Sequence, residues 1–330
     1  MDRTKLTKAS FLLLKILVSG GLIYLLFSRI GVSNVVNNIS RVNPLFFLAA
    51  MFIYLAQLFI STNRWSLLIE RPLSLKRLYS LYLIGSFFSI FLPGLVGGDT
   101  VKAYYLNKML KSSPLNGEAQ GSNLVTAIAS VFMDRYLGFV AMLIMVVAVY
   151  PLSFMYIKGT VFIWLLPLLF ALFLIGSYLI LRFRIGQRFG FISNLYGYFS
   201  LYIGKKTVIL KTLLLSVLTQ TAGITAVYLL SVGLSMDVPF ISVLIFVPII
   251  ILVSFIPISI AGIGLREGAF VFFFSIIGVP SEQSLTLSIL WFLSTCATSL
   301  LGLVEYLRIK GDEGSQATVE SAYTDRHLKR

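Results

Sequence analysis

One cysteine, Cys296, one histidine, His327, and only 13 acidic residues occur in 330 positions. A single cysteine excludes an intrachain disulfide and a cysteine-built metal site. It lies within an apolar run, where packing is its expected role. A single histidine in a polar tail leaves histidine-based acid–base or metal chemistry without material. Charged residues make up 12% of the chain, about half of what a soluble domain carries. The polar surface of a water-soluble globule is therefore missing, and no soluble domain of ordinary size fits between the apolar runs.

Hydrophobic residues make up 58% of the chain, and its mean hydropathy is +0.91. Uninterrupted apolar runs of about 20 residues recur, each long enough for a hydrocarbon core of about 30 Å. They are continuous, as in LFFLAAMFIYLAQLFI (45–60), and do not alternate as barrel strands do. The fold class expected is an all-α polytopic membrane protein. Full spans are predicted at 12–30, 44–62, 122–150, 160–182, 207–233 and 285–308. The first has a basic start but too long an apolar stretch for a cleaved signal, with Lys15 snorkelling to the interface.

Two more apolar blocks, 75–111 and 238–278, are interrupted near their middles by Pro and Gly. The connector 183–206 mixes arginines and lysines with Tyr196, Tyr198 and Tyr202, as expected of a segment at headgroup level. The formal charge is +14. The basic residues sit in loops, so they are read as a topology signal and not as a nucleic-acid surface. Basic clusters fall before the first span, after the second, after block 75–111, after span 160–182 and at the C-terminus. The alternate loops hold only Arg29, Arg41 and Lys158. Both termini are therefore expected in the cytoplasm.

Block 75–111 is basic at both ends and block 238–278 is flanked by Asp237 and Glu282, so each is expected to dip in and return, from opposite leaflets. The whole reads as one transmembrane domain, 1–310, with inverted halves at about 1–158 and 159–310, and a polar cytoplasmic tail at 311–330. Pro93 precedes Pro257 by 164 residues, and the helix starts at 44 and 122 precede those at 207 and 285 by 163. SIFLPGLVGGDTVKA (89–103) weakly resembles SFIPISIAGIGLREGA (254–269). Inverted repeats with broken helices near mid-membrane are a recurrent transporter plan.

Ionisable groups inside a bilayer cost about 2.5–3.5 kcal/mol each on insertion scales, so they need partners or water. Asp99 and Lys102 lie in the first block, Asp134 and Arg135 in span 122–150, and Arg266 and Glu267 in the second block. Three acids against three bases imply mutual pairing in a buried polar site. In the first block Pro93 ends the entering helix, Gly97 and Gly98 permit close backbone approach, and Asp99 is placed as N-cap of the returning helix. The free N–H groups there, with Lys102 one turn on, make an anion site suited to a lipid phosphate. The plain alternative is a capped turn with Lys102 snorkelling.

In the second block Pro257, Gly262, Gly264 and Gly268 are the expected breaks. Arg266 offers a forked donor to phosphate or carboxylate; the alternative is a structural pair with an acid. Adjacent helix positions point about 100° apart, so Asp134 and Arg135 are expected to reach different hairpins. Charge balance pairs Asp134 with Arg266 and leaves Arg135 facing Asp99 or a lipid phosphate. Arg64, Glu70, Lys211 and Glu305, near span ends, are read as interfacial and structural.

FLPGLVGGDTVKAYYL (91–106), MDRYLG (133–138) and GIGLREGAFVFF (262–273) resemble motifs of the flippase-like lysylphosphatidylglycerol synthase transmembrane-region family, over about 10–308. That resemblance implies a prokaryotic inner-membrane protein whose relatives move aminoacylated phosphatidylglycerol between leaflets. It also implies that Gly97, Gly98, Asp99, Asp134, Arg135, Arg266, Glu267 and Gly268 match motif positions. Lys102 stands where arginine is expected in many members. Bifunctional relatives carry a cytosolic aminoacyltransferase domain, and the chain stops soon after its last span, so aminoacyl-lipid synthesis is not expected. The expected partner is an anionic phospholipid. A polyprenyl-phosphate carrier, bound by an accessory protein working with an envelope-synthesis enzyme, is the alternative; a small-solute transporter is another. No cofactor, metal, nucleic acid or catalytic residue is expected.

Overall fold

The computed structural model describes residues 3–328 apart from 70, 72, 92–96, 113–119, 184–195, 199–201, 203, 257, 260 and 261. All regular structure among the described residues is helical. α1 (Arg3–Ile30) stops at Gly31, whose φ of +85° is a left-handed conformation that glycine adopts without penalty. The Asn34 amide donates to the Ile30 carbonyl at 2.8 Å, covering an orphan acceptor of the ending helix. α2 (Val32–Ser40) therefore leaves at 79° to the stretch Lys15–Ile30.

α3 (Pro44–Ser66) begins with Pro at its first position and Asn43 as cap, its side chain accepting from Leu45 N at 3.0 Å. Next come α4 (Leu75–Phe91), α5 (Gly97–Ser112), α6 (Gln120–Ile157) and α7 (Phe162–Phe183). They are followed by α8 (Lys206–Gly233), α9 (Phe240–Ser254), α10 (Leu265–Ser275) and α11 (Ser281–Leu328).

Among the described residues five segments are long and apolar enough to cross a membrane: Pro44–Ser66, Asn123–Ile157, Phe162–Ile180, Lys206–Gly233 and Ser281–Gly311. Taken together as one span, the bent pair α1–α2 brings the number to six. Their outward faces are apolar, as at Phe52, Trp164 and Leu172. With so little polar surface the chain is an all-α, multi-pass membrane protein. Helices run past the predicted span ends: α3 reaches Ser66, and α11 continues as helix into the polar tail.

α4 packs on α5 and α9 on α10, forming two helix pairs around interrupted turns. Pro93 and Pro257, the predicted breaks, lie outside the described residues. In the second turn Gly262 and Gly264 have φ of +76° and +86°, which explains the glycines. Gly268 is different from what was expected. It lies inside α10, and a Cβ there would meet nothing within 4 Å, so it is a helical residue and not a break. Tyr198 and Tyr202, in the connector that follows α7, anchor it to α3. Both are buried and donate to the Leu68 carbonyl beyond the end of α3.

The broadest helix contact is α3 on α8. Small residues allow it: a Cβ at Gly233 would stand 2.8 Å from Phe46 Cβ, and one at Gly223 3.3 Å from Gln57 Nε2. Around this centre, α4 packs on α11 and α9 on α6, while α5 packs on α6 and α10 on α11. One core is built from Phe246, Phe270, Phe273 and Phe274, and a second from Trp65, Leu78, Leu81, Ile84 and Leu106. The second core packs against Tyr82, a residue of the candidate functional site.

Candidate functional site

Four helices enclose a polar cavity of about 300 Å³. α3 contributes Tyr54, Gln57, Ser61 and Arg64, spaced so that all four lie on one helical face. α4 brings Tyr82, Gly85, Ser86 and Ser89 by the same periodicity. α5 supplies Asp99 and Lys102, and α6 supplies Asp134 and Arg135.

Asp134 is the most enclosed charge among the described residues, at 1% exposure. Arg64 Nε donates to its Oδ1 at 2.8 Å, and the Tyr82 hydroxyl donates to its Oδ2. Arg64 also donates through Nη1 to Ser216 Oγ at 3.0 Å, tying α8 to the site. The predicted Asp134–Arg266 pair does not form. Arg64, read from the sequence as an interfacial residue, is the partner, because α3 continues inward past residue 62 and carries it into the core. An i to i+4 neighbour is decided by local spacing, but this pair joins residues 70 positions apart.

Lys102 is buried with its ammonium 3.6 Å from the Tyr82 ring centroid and 4.5 Å from that of Trp65. Its Nζ stands 3.7 Å from Asp134 Oδ2, an ion pair beyond hydrogen-bond length. Two glycines make room for this arrangement. A Cβ at Gly85 would stand 2.5 Å from Lys102 Cγ. At Gly98 it would stand 2.0 Å from both the Gly85 carbonyl oxygen and Ser89 Oγ. Arg135 Nε lies 2.7 Å from Asp99 Oδ2, on the more open side of the cavity. α5 begins at Gly97, so Asp99 sits in the first helical turn and not at the cap, where its charge still opposes the helix dipole favourably.

Arg266 and Glu267 form a separate group. Glu267 accepts from Gly264 N at 2.6 Å, closing the start of α10, and from Arg266 Nε at 3.0 Å. The Arg266 guanidinium lies 4.7 Å from the Phe292 ring centroid. Neither residue lines the cavity between α3, α4, α5 and α6. Among the described residues no three His, Cys, Asp or Glu side chains come together as metal ligands would. Replacing Tyr82 by Phe removes a donor to a buried carboxylate. The expected loss is about 1.5–3 kcal/mol of stability, measured by denaturant titration in bicelles, with the helical content unchanged.

These features define a class: a multi-pass helical membrane protein with ion pairs buried between a broken helix pair and its neighbours. The chain matches the family described as lysylphosphatidylglycerol synthase TM region over residues 12–302, and it belongs to that family. The matched range takes in both helix pairs and every residue that lines the cavity. Comparison with curated proteins returned no match.

Proposed function

We propose that this chain binds the head group of an anionic phospholipid in the cavity between α3, α4, α5 and α6 and moves the lipid between leaflets. The observation that carries this reading is the position of Arg135, which lines three cavities at once. The first is the polar one. The second, about 380 Å³ and largely apolar, is walled by Gly138, Phe139 and Met142 with Ile251 and Phe255. The third, about 500 Å³, lies between α5 and α6 along Ala103, Tyr104, Leu124, Ile128 and Val131.

Polar and apolar space meeting at one cation suits an amphiphile; a water-soluble solute has no use for the apolar parts. Tyr104, Leu124 and Phe132 are exposed on the outer surface, so the third cavity is reached from the side, through lipid. Along α6 the second cavity extends toward Met142 and the third toward Leu124. At 1.5 Å per residue these lie about 10 and 16 Å from Arg135 in opposite directions. Acyl chains pointing toward either leaflet therefore find an apolar wall beside the same head-group site.

Inverted halves fit this role, and the recurring contacts (α4 on α11 with α9 on α6, α5 on α6 with α10 on α11) support them. The basic loops favour an inner-membrane orientation with both termini cytoplasmic. The work is translocation, with no bond made or broken and no cofactor. The test uses proteoliposomes with fluorescent phosphatidylglycerol and a membrane-impermeant quencher. Wild type speeds exchange between leaflets, and Arg135→Ala slows it about tenfold or more, the value of one charge-assisted hydrogen bond. Exchange no faster than in protein-free vesicles sinks the proposal.

A further inference from the structure

Resting on that reading, we infer that the cavity selects a lipid phosphodiester carrying a single negative charge and no amine. The charged side chains that line it are Arg64, Lys102 and Arg135 against Asp99 and Asp134. Among the described residues three bases face two acids, which leaves one positive charge. The balance of three acids and three bases expected from sequence fails because Arg64 enters the cavity while Arg266 and Glu267 neutralise each other elsewhere.

The surplus has an address. Arg64 is held by Asp134 and Ser216, and Arg135 by Asp99. Lys102, 4% exposed, has no hydrogen bond among the described residues, only the distant ion pair with Asp134. An ammonium enclosed by two aromatic rings and lining a cavity is completed by one anionic oxygen. A phosphodiester supplies one charge and brings the site to neutrality. A phosphomonoester at full ionisation supplies two and leaves the cavity negative.

An aminoacylated head group fares worse. Its ammonium needs a carboxylate, and both carboxylates are already engaged: Asp99 by Arg135, and Asp134 by Arg64 and Tyr82. Beyond the phosphate, Gln57 and Ser89 present an amide and a hydroxyl with no partner among the described residues, suited to the hydroxyls of a neutral polyol.

The test is competitive. The protein in nanodiscs receives equimolar phosphatidylglycerol, phosphatidic acid, phosphatidylethanolamine and lysylphosphatidylglycerol at about pH 7.5, well above the second ionisation of a phosphomonoester near about 6. Retained lipid is counted by native mass spectrometry. A parallel sample adds glycerophosphoglycerol, the same head without tails. Wild type retains phosphatidylglycerol about tenfold over each other lipid, the scale set by one unpaired charge in a low-dielectric site. Lys102→Gln abolishes that preference. Asp99→Asn raises the cavity to two positive charges and moves the preference to phosphatidic acid, a gain that misfolding cannot imitate. If wild type retains lipid but takes phosphatidic acid or lysylphosphatidylglycerol equally well, the charge inference is overturned and the lipid site stands. If no lipid is retained, the proposed function itself fails. Displacement by glycerophosphoglycerol at equal concentration overturns the assignment to a lipid.

Discussion

Arg64→Met is expected to cost about 3–5 kcal/mol of stability, the range for stripping one partner from a buried ion pair. Asp134, at 1% exposure, keeps only the Tyr82 hydroxyl and the more distant Lys102 ammonium. Asp134→Leu is worse, because it leaves Arg64 and Lys102 facing each other without an anion. The double variant Arg64→Met/Asp134→Leu is less damaged than the sum of the two, with coupling of about 2 kcal/mol or more. Detergent-unfolding curves of the four proteins in bicelles give that coupling directly. The same cycle with Arg266→Ala and Asp134→Asn is expected to be additive within about 0.5 kcal/mol, since Arg266 is held by Glu267 and shares no contact with Asp134. Strong coupling in that second cycle contradicts the geometry described above.

Gly98→Ala is expected to be strongly destabilising for so small a change. Its Cβ would lie 2.0 Å from the Gly85 carbonyl and 2.9 Å from the Ser89 amide nitrogen, and backbone cannot step aside as a side-chain tip does. α4 and α5 must move apart, at a cost of about 1–3 kcal/mol or more. The same shift opens the gap through which the Lys102 stem passes beside Gly85, so the lipid retention proposed for this cavity is expected to fall as well. Gly268→Ala is the control. Its site is open and helical, so alanine there is neutral or stabilising by up to about 1 kcal/mol. Melting temperatures of the two variants with opposite signs are the expected outcome; equal losses contradict the account of both glycines.

Much of the architecture was legible because it rests on local signals. A run of about 20 apolar residues has few options in a bilayer, and the two interrupted blocks announce themselves by Gly and by polar residues where a span tolerates neither. Asp99, Lys102, Asp134 and Arg135 were visible because charge deep in an apolar run is costly. What stayed hidden was partnership. Counting acids and bases says that pairs exist, but not which residues a tertiary fold brings together, so Arg266 was assigned to the wrong acid.

Arg64 was hidden for a second reason: it follows Ser61, Thr62 and Asn63, which read as the exit of a span. The periodic stripe Tyr54, Gln57, Ser61 and Arg64 was the available signal, since one polar face on an apolar helix marks a buried polar neighbour. Gly85 gave no signal at all, because its role depends on the path of a lysine 17 positions away.

The contrast between the two helix pairs bears on the order in which the chain is built. The second pair carries its own counterion: Arg266 and Glu267 are adjacent and emerge together, so that turn is electrically neutral when it enters the bilayer. The first pair emerges with Asp99 and Lys102 unmatched, and their partners Arg135 and Asp134 arrive only with α6. Until then those two groups must be sheltered by water or by the insertion machinery. The cavity is thus completed only when the fourth of its walls, α6, slots into place.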